Sequence, residues 1–282
     1  AAKNMRERLV KMIGKTGYYV NISTFHAFCK EVIDTHPEFF PIDRNSQSIS
    51  DIERYDLLET IILESPITVL KPINRPFFYL SDIVKAISNL KREGISVEQF
   101  KKIIDQEDWL GEAETKTAKK LTASQQALAE KKQLKNQELA LIYDQYEQKL
   151  RTNLRYDFDD MIALVVKAFI TEPELLSEYQ ENLLYFLVDE YQDTNSAQNQ
   201  VVDLLASYWQ DKANVFVVGD PNQAIYRFQG ASLENVLGFA KRYPTAQVIT
   251  LATGYRCPQL VLDTAHQLIL NNYQKEHEAD PI

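Results

Sequence analysis

Two short apolar runs, one ended abruptly by an acidic pair and the other by Gly-Asp, constrain this chain more than any other feature. Leu183-Leu184-Tyr185-Phe186-Leu187-Val188 reads as a strand buried on both faces, and it stops at the adjacent carboxylates Asp189 and Glu190. Asn214-Val215-Phe216-Val217-Val218 reads as a second strand, ending at Gly219-Asp220. Between them Asn195 or Ser196 caps a helix to about Trp209, with Val201, Val202, Leu205 and Tyr208 on one side. Strand, helix, strand at this spacing is a parallel unit whose crossover is right-handed. A further round follows, with a helix over 233–242, a strand over 247–251 and a helix over 258–270 that Pro258 suits as a first turn. Three parallel strands then present their carboxyl ends to one edge, where open α/β sheets bind ligands.

That edge collects a distinctive set of side chains. The first strand end gives Asp189 and Glu190, followed by Gln192, Asp193, Thr194 and Asn195. The second gives Gly219 to Ala231, including Gln223, Tyr226, Arg227 and Phe228, and the third gives Thr253-Gly254-Tyr255-Arg256. A single acidic pair after a strand is ordinarily a solvated turn. Together with an amide and an arginine it suits phosphoryl transfer from a nucleoside triphosphate. That chemistry needs a metal, a positioned water, a γ-phosphate sensor and a charge-stabilising guanidinium. Asp189 would hold the metal through water, and Glu190 would orient or deprotonate the attacking water.

The rest of the chain divides around this unit. Ala1 to Leu9 has no initiator Met and begins at once in helical composition, as though cut from something longer. Gly14 and Gly17 end that helix, a short strand is expected over 18–22, and Ser23-Thr24 caps a helix bearing Phe25, Phe28, Val32 and Ile33. Phe25 and Phe28 read most simply as core residues and His26 as a satisfied histidine. The alternative is an aromatic platform, with Thr24 and His26 beside it, able to stack a base and touch a phosphate. Residues 37–50 form a polar connector, and from Asp51 to Asn153 the pattern is almost wholly helical. Within that block Ser96 reads as the N-cap of a helix, and a long Lys- and Gln-rich helix spans about 115–150. Its lysines form either a solvated face or a weak contact with duplex backbone. Tyr156-Asp157-Phe158-Asp159-Asp160 re-enters the first domain, with Asp157 as the expected N-cap. The expected division is 1–45 and 155–282 for the α/β domain and 46–154 for an inserted helical subdomain.

No run reaches the roughly 18 apolar residues of a membrane span. Cys29 and Cys257 lack a CxxC partner and the four histidines are scattered, so neither a disulfide framework nor a zinc site is expected, and a reducing cytoplasmic setting is. The net charge of -9 argues only mildly against nucleic acid, since a local basic or aromatic groove suffices for binding.

Read as whole motifs, the sequence resembles the UvrD/Rep/PcrA-type superfamily 1 DNA helicases. VDEYQDTN (Val188 to Asn195) is similar to their motif II, and GDPNQAIYRFQGA (Gly219 to Ala231) to motif III. LATGYRCP (Leu251 to Pro258) is similar to motif IV and STFHAFC (Ser23 to Cys29) to motif Ib. AAKNMRERL resembles the tail of motif Ia, and YDFDDMI the segment that re-enters the motor domain. The matches keep the family's order and leave the helical block where that family carries its subdomain 1B.

The resemblance implies an α/β, RecA-like parallel sheet with helices on both faces, plus the helical insertion. It implies ATP and Mg²⁺ as ligands, single-stranded and duplex DNA as partners, and 3′ to 5′ movement; it leaves oligomeric state open. By position, Asp189 would hold Mg²⁺, Glu190 would activate water, Gln223 and Arg256 would contact the γ-phosphate, and Tyr255 would stack on adenine. Thr24, Phe25, His26, Tyr226 and Phe228 would line the DNA path. Departures are Gly254, Cys257, Gln229 and the pair Pro221-Asn222, where the family usually has Asn, Ser, Arg and acidic residues. No G-x-x-x-x-G-K-[ST] occurs: Gly14-Lys15-Thr16 has the last letters, but Leu9 stands where the first glycine belongs. The resemblance therefore implies an excised piece of a helicase that hydrolyses no ATP alone. Two other functions remain open, the motor part of an AddA/RecB-like helicase–nuclease and a non-catalytic DNA-binding scaffold.

Overall fold

The computed structural model describes residues 2–42, 46–106, 123–223, 238–239 and 241–273. In chain order it contains α1 (Ala2–Ile13), α2 (Phe25–Thr35), β1 (Gln47–Ser48), α3 (Asp51–Glu64), α4 (Leu80–Arg92) and α5 (Val97–Gln106). There follow α6 (Ala123–Thr152), β2 (Arg155–Tyr156), α7 (Asp160–Thr171), α8 (Pro173–Asn182), β3 (Phe186–Val188), α9 (Ser196–Ala206), β4 (Val215–Val217) and α10 (Gln259–Tyr273). The chain is thus mixed α/β and mostly helical, with two parallel strand pairs among the described residues.

Among the described residues two large apolar cores organise these elements, with a smaller cluster of Phe100, Ile104 and Ala140 packing α5 on α6. One gathers Cys29 and Val32 of α2, Val165 and Phe169 of α7, Phe186 of β3, and Val201 and Leu205 of α9. The other lies within the helical block and joins Leu58 and Ile61 of α3, Ile83 and Ile87 of α4, and Ile142 and Tyr146 of α6. Helical spacing of the apolar residues puts each set on one stripe, and burying that stripe stabilises the short helices. Caps fix where they begin. Ser50 Oγ accepts the Glu53 N–H while the Glu53 carboxylate accepts the Ser50 N–H, a reciprocal box that Asn195 and Gln198 repeat at α9. Ser96 and Gln99 do the same at α5, as the sequence predicts for Ser96.

β1 and β2 pair in parallel, Gln47 opposite Arg155 and Ser48 opposite Tyr156, so the chain closes the helical block where it opened it. β3 and β4 pair in parallel with Phe186 opposite Val215, Leu187 opposite Phe216 and Val188 opposite Val217.

Several expectations need correction. The run 183–188 forms a strand only over Phe186–Val188, and it is not buried on both faces. Phe186 is 8% exposed, whereas Leu187 is 75% and its partner Phe216 56% exposed. Successive side chains alternate faces, and α7 and α9 cover only the Phe186 face. The helices expected on both faces are therefore seen on one among the described residues. No strand forms over 18–22. Gly14–Tyr18 winds into a 3₁₀ turn, and the Arg6 guanidinium donates to the carbonyls of Tyr18 and Val20, which a neighbouring strand would otherwise need. No strand forms over 247–251 either. Val248, Ile249 and Leu251 are exposed, and a cavity of about 550 Å³ lies between Val215 and the 244–246 stretch that leads into them. Without a ladder partner, that apolar run stays irregular. Asp157 is not an N-cap: Asp159 holds that position, and the Asp157 carboxylate is buried against Arg54, Lys91 and Tyr146. The start of the long helix over 115–122 and most of the helix over 233–242 lie outside the described residues.

Candidate functional site

The carboxyl edge of the β3–β4 pair is built by backbone first. Val218 N–H donates to Val188 O and Tyr191 N–H to Val218 O, both at 2.9 Å, so the ladder continues past the strands and holds the two loops side by side. Glu190 turns the chain through a left-handed backbone conformation, φ 51°, which few non-glycine residues adopt. The 3₁₀ turn Tyr191–Asp193 follows and sends Gln192 back under the edge.

Gln192 is 1% exposed and links the loops. Its Nε2 donates to Glu190 Oε2 at 2.7 Å, and its Oε1 accepts the Asp220 N–H at 3.1 Å. Asp220 Oδ2 in turn accepts from Gln223 Nε2 at 2.8 Å. Glu190 and Gln223, expected at one site, are therefore ends of one hydrogen-bonded chain. Asp189 sits beside it, its Oδ1 accepting the Glu190 N–H at 3.0 Å. Asp189, Glu190 and Gln223 are all exposed. Burial, with the Glu190 charge adding to it, raises the Asp193 carboxyl above its ordinary range. Among the described residues no three His, Cys, Asp or Glu side chains gather into a metal cage. That donor set fits Mg²⁺ held by one carboxylate, water and phosphate oxygens, and does not fit an all-protein site.

The third expected contribution is placed differently. Tyr255 is 94% exposed and Arg256 is exposed, on a stretch that no paired strand carries to the β3–β4 edge among the described residues. Gly254 lies close against α10, where an added Cβ would meet Leu262 at 3.0 Å. Tyr226 and Phe228 lie outside the described residues.

A second cluster forms where α2 begins. Thr24 Oγ1 accepts the Ala27 N–H and caps the helix. Phe25 and Phe28 lie half-buried against the first core, as the simpler reading expects. His26 turns the other way and stacks on Phe158, ring centroids 4.0 Å apart and planes 16° from parallel. Burial lowers the His26 pKa, with Arg92 adding to the shift and Asp159 opposing it. Phe158 remains 54% exposed. An exposed phenyl ring lying flat on an imidazole is a stacking surface for a base. Phe158 and Gln192 both stand in motifs that the sequence singles out, yet the sequence alone gives neither a role. The available signals were an aromatic set among three aspartates, and an amide two residues past the acid pair.

The Phe158 turn is held from the helical block by a buried cluster of ions. Lys91, 2% exposed, lies 2.7 Å from Glu147, 2.5 Å from Asp160 and 3.6 Å from Asp157. Arg54 lies 3.3 Å from Asp157 and Arg92 3.2 Å from Asp159.

Comparison with known proteins gives a consistent picture. Residues 1–244 match the family described as UvrD/REP helicase N-terminal domain. The chain is 32% identical over 276 residues to the ATP-dependent DNA helicase PcrA of Staphylococcus aureus, covering 98% of this chain and 33% of the relative. It is equally similar to the protein of that name from Bacillus subtilis, covering 98% and 32%, and 30% identical to that of Staphylococcus epidermidis. The chain thus spans about a third of the length of these relatives.

Proposed function

Because the chain belongs to the UvrD/REP helicase N-terminal domain family, we propose that it is part of an ATP-driven DNA helicase, contributing the acid edge of the ATP site and one wall of the DNA path. The observation that carries this reading is the hydrogen-bonded chain from Glu190 through Gln192 and Asp220 to Gln223. It supports a carboxylate and an amide held together for one substrate.

In the proposed reaction Glu190 accepts a proton from water as that water attacks the γ-phosphorus. The bond from that phosphorus to the β,γ-bridging oxygen breaks, and ADP leaves. Asp189 would hold Mg²⁺, which neutralises charge building on the phosphate oxygens. Gln223 contacts the γ-phosphate, Tyr255 stacks on the adenine and Arg256 reaches the γ-phosphate after the 253–256 stretch closes on the edge. Thr24, Phe25 and His26, with Tyr226, Phe228 and the exposed ring of Phe158, line a path for single-stranded DNA, along which movement runs 3′ to 5′ ahead of the duplex. We place a RecA-like motor fold in 1–45 and 155–282 and a helical subdomain in 46–154. The separate apolar core of the helical block supports that division.

The test is Glu190→Gln in the full-length gene product. Turnover is expected to vanish while nucleotide binding, followed with a fluorescent ATP analogue, stays intact. Unwinding that survives the change removes Glu190 from the reaction. A wild-type protein that binds DNA without hydrolysing ATP is instead a scaffold, and strand cleavage during unwinding marks a helicase–nuclease.

A further inference from the structure

We propose that Gln192 is a positioning residue that aims the Glu190 carboxylate and ties it to the loop bearing Gln223, in a seat that only glycine at 219 leaves open. The inference rests on the reading of Glu190 as the group that activates water.

The two partners of Gln192 fix the orientation of its amide. A carboxylate oxygen only accepts and a backbone N–H only donates, so Nε2 must face Glu190 and Oε1 must face Asp220. No other side chain of this length does both. Glutamate would face Glu190 with a second acceptor, leucine would offer neither group, and asparagine is one methylene short of spanning the loops. The position is also closed to water, at 1% exposure, so no solvent molecule replaces a missing partner there.

Glu190 needs such a tether. Its backbone sits in the left-handed region, φ 51° and ψ 46°, and its side chain is exposed. An exposed carboxylate with free rotamers spends little time aimed at one water. A 2.7 Å hydrogen bond from a buried amide selects one arrangement. The same amide holds Asp220, whose carboxylate bonds Gln223 Nε2 and whose carbonyl accepts the Gln223 N–H at 2.9 Å. Moving either end therefore displaces the other.

Gly219 is the structural condition for this arrangement. A Cβ built there would lie 2.6 Å from Gln192 Oε1, so that the amide would have to move, and a tight 3.2 Å from Gln192 N. Gly219 is not at positive φ, so the requirement is for room and not for backbone freedom.

The test compares Gln192→Leu and Gly219→Ala with wild type and Glu190→Gln in the full-length gene product. For both variants kcat is expected to fall about 10²-fold, the effect of misplacing a reacting group by about an ångström. KM for ATP should stay within about threefold. Affinity for ADP with a trigonal fluoride mimic of the γ-phosphoryl group should fall alongside kcat, because the tether matters most in the transition state. A merely structural role would weaken binding of ATP and of the mimic equally. Gly219→Ala removes no polar group and decides the matter if Gln192→Leu does not fold. Folded variants that turn over at the wild-type rate, or that lose ATP binding and the mimic in parallel, overturn the proposal. If Glu190→Gln itself turns over, the underlying reading of Glu190 fails. If Glu190→Gln is inactive while Gln192→Leu and Gly219→Ala are not, only the positioning role fails.

Discussion

Replacing Lys91 with methionine isolates the electrostatic role of the buried cluster that joins the helical block to the Phe158 turn. Methionine keeps much of the lysine stem's volume, so the change is mainly one of charge. In the wild type, three cations that are buried or partly buried (Arg54, Lys91 and Arg92) face four carboxylates (Glu147, Asp157, Asp159 and Asp160), with the exposed Arg151 reaching Glu147 at 3.9 Å from the solvent side. Without Lys91, two cations face the same four. Removing one partner of a buried pair costs about 3–5 kcal/mol, because the remaining charges stay desolvated. Arg54 still compensates Asp157, so the lower end of that range is expected. For a chain of this size it corresponds to a fall in Tm of about 6–12 °C.

The pH dependence gives the sharper check. Burial raises the Asp160 carboxyl to about 6; Glu147 and Asp157 add to the shift, and Lys91 opposes it. An acid whose folded pKa stands above its ordinary value contributes stability that is full below the ordinary Asp range and lost as pH rises through about 6. Removing the opposing Lys91 charge raises Asp160 further and enlarges the cost of its ionisation. The destabilisation by Lys91→Met should therefore be largest at pH 8 and clearly smaller at pH 5. Burial also acts to raise Asp157, but Lys91 and Arg54 outweigh it and leave this carboxyl below its ordinary range, so Asp157 stays ionised at pH 5 in the wild type. Urea unfolding of the 282-residue chain, followed by circular dichroism at both pH values, measures the difference. A loss under about 1 kcal/mol at pH 8, or one that does not shrink at pH 5, refutes the reasoning.

Other perturbations probe the remaining elements. Glu138→Gln should cost about 2 kcal/mol, because both Glu138 oxygens accept from the Thr68, Val69 and Leu70 N–H groups and the amide NH₂ that replaces one oxygen meets those donors with another donor. Burial acts to raise the Glu138 pKa, but those three N–H groups and the Thr68 hydroxyl outweigh it. The wild-type advantage over Glu138→Gln should thus be full above the ordinary Glu range and be lost as pH falls below that range through the depressed folded value. Phe158→Ala should weaken single-stranded DNA binding by about 1–3 kcal/mol, read by fluorescence anisotropy, with little effect on Tm because the ring is already 54% exposed. On the strand pair, Phe186→Ala should cost about 3–5 kcal/mol, whereas Leu187→Lys should stay within about 0.5 kcal/mol. Equal losses from the two would restore a strand buried on both faces.

Local chemistry was legible in the sequence, and its tertiary use less so. Caps at Thr24, Ser96 and Asn195 follow from side chains that satisfy helix N–H groups a few residues on, and they form where sequence places them, whereas the Ser50 box lies in a stretch that reads only as a polar connector. The parallel pairing of β3 and β4 was legible because two apolar runs flank one amphipathic helix. The strands at 18–22 and 247–251 were not, because a strand depends on a neighbour supplying ladder bonds, and composition does not report whether one arrives. At 18–22 a single guanidinium, twelve residues or more away in sequence, takes the carbonyls instead. Asp157 shows the same limit. A cap and a buried ion partner are the same residue type in the same position, and only the approach of Lys91 and Arg54 decides between them.

That approach also explains how one short stretch holds both candidate sites. Lys91, Arg92 and Glu93 are consecutive at the end of α4, and each reaches a different segment. Lys91 binds Glu147 of α6 together with Asp160, and Arg92 binds Asp159, next to the ring that stacks on His26. Glu93 accepts a hydrogen bond from Ser196 Oγ, at the first turn of α9 and directly after the loop that carries Glu190 and Gln192. At the next residue Gly94 adopts φ 70°, where an added Cβ would press on Gln200 of α9 at 3.3 Å. A residue with a side chain there would be strained in its backbone and crowded against α9 at once. The acid edge and the ring stack, far apart in sequence, are thus anchored to the helical block through neighbouring residues at the end of one helix. Rotation of that helix end would displace the Phe158 turn and the start of α9 together, because buried ion pairs and close packing leave neither contact free to stretch.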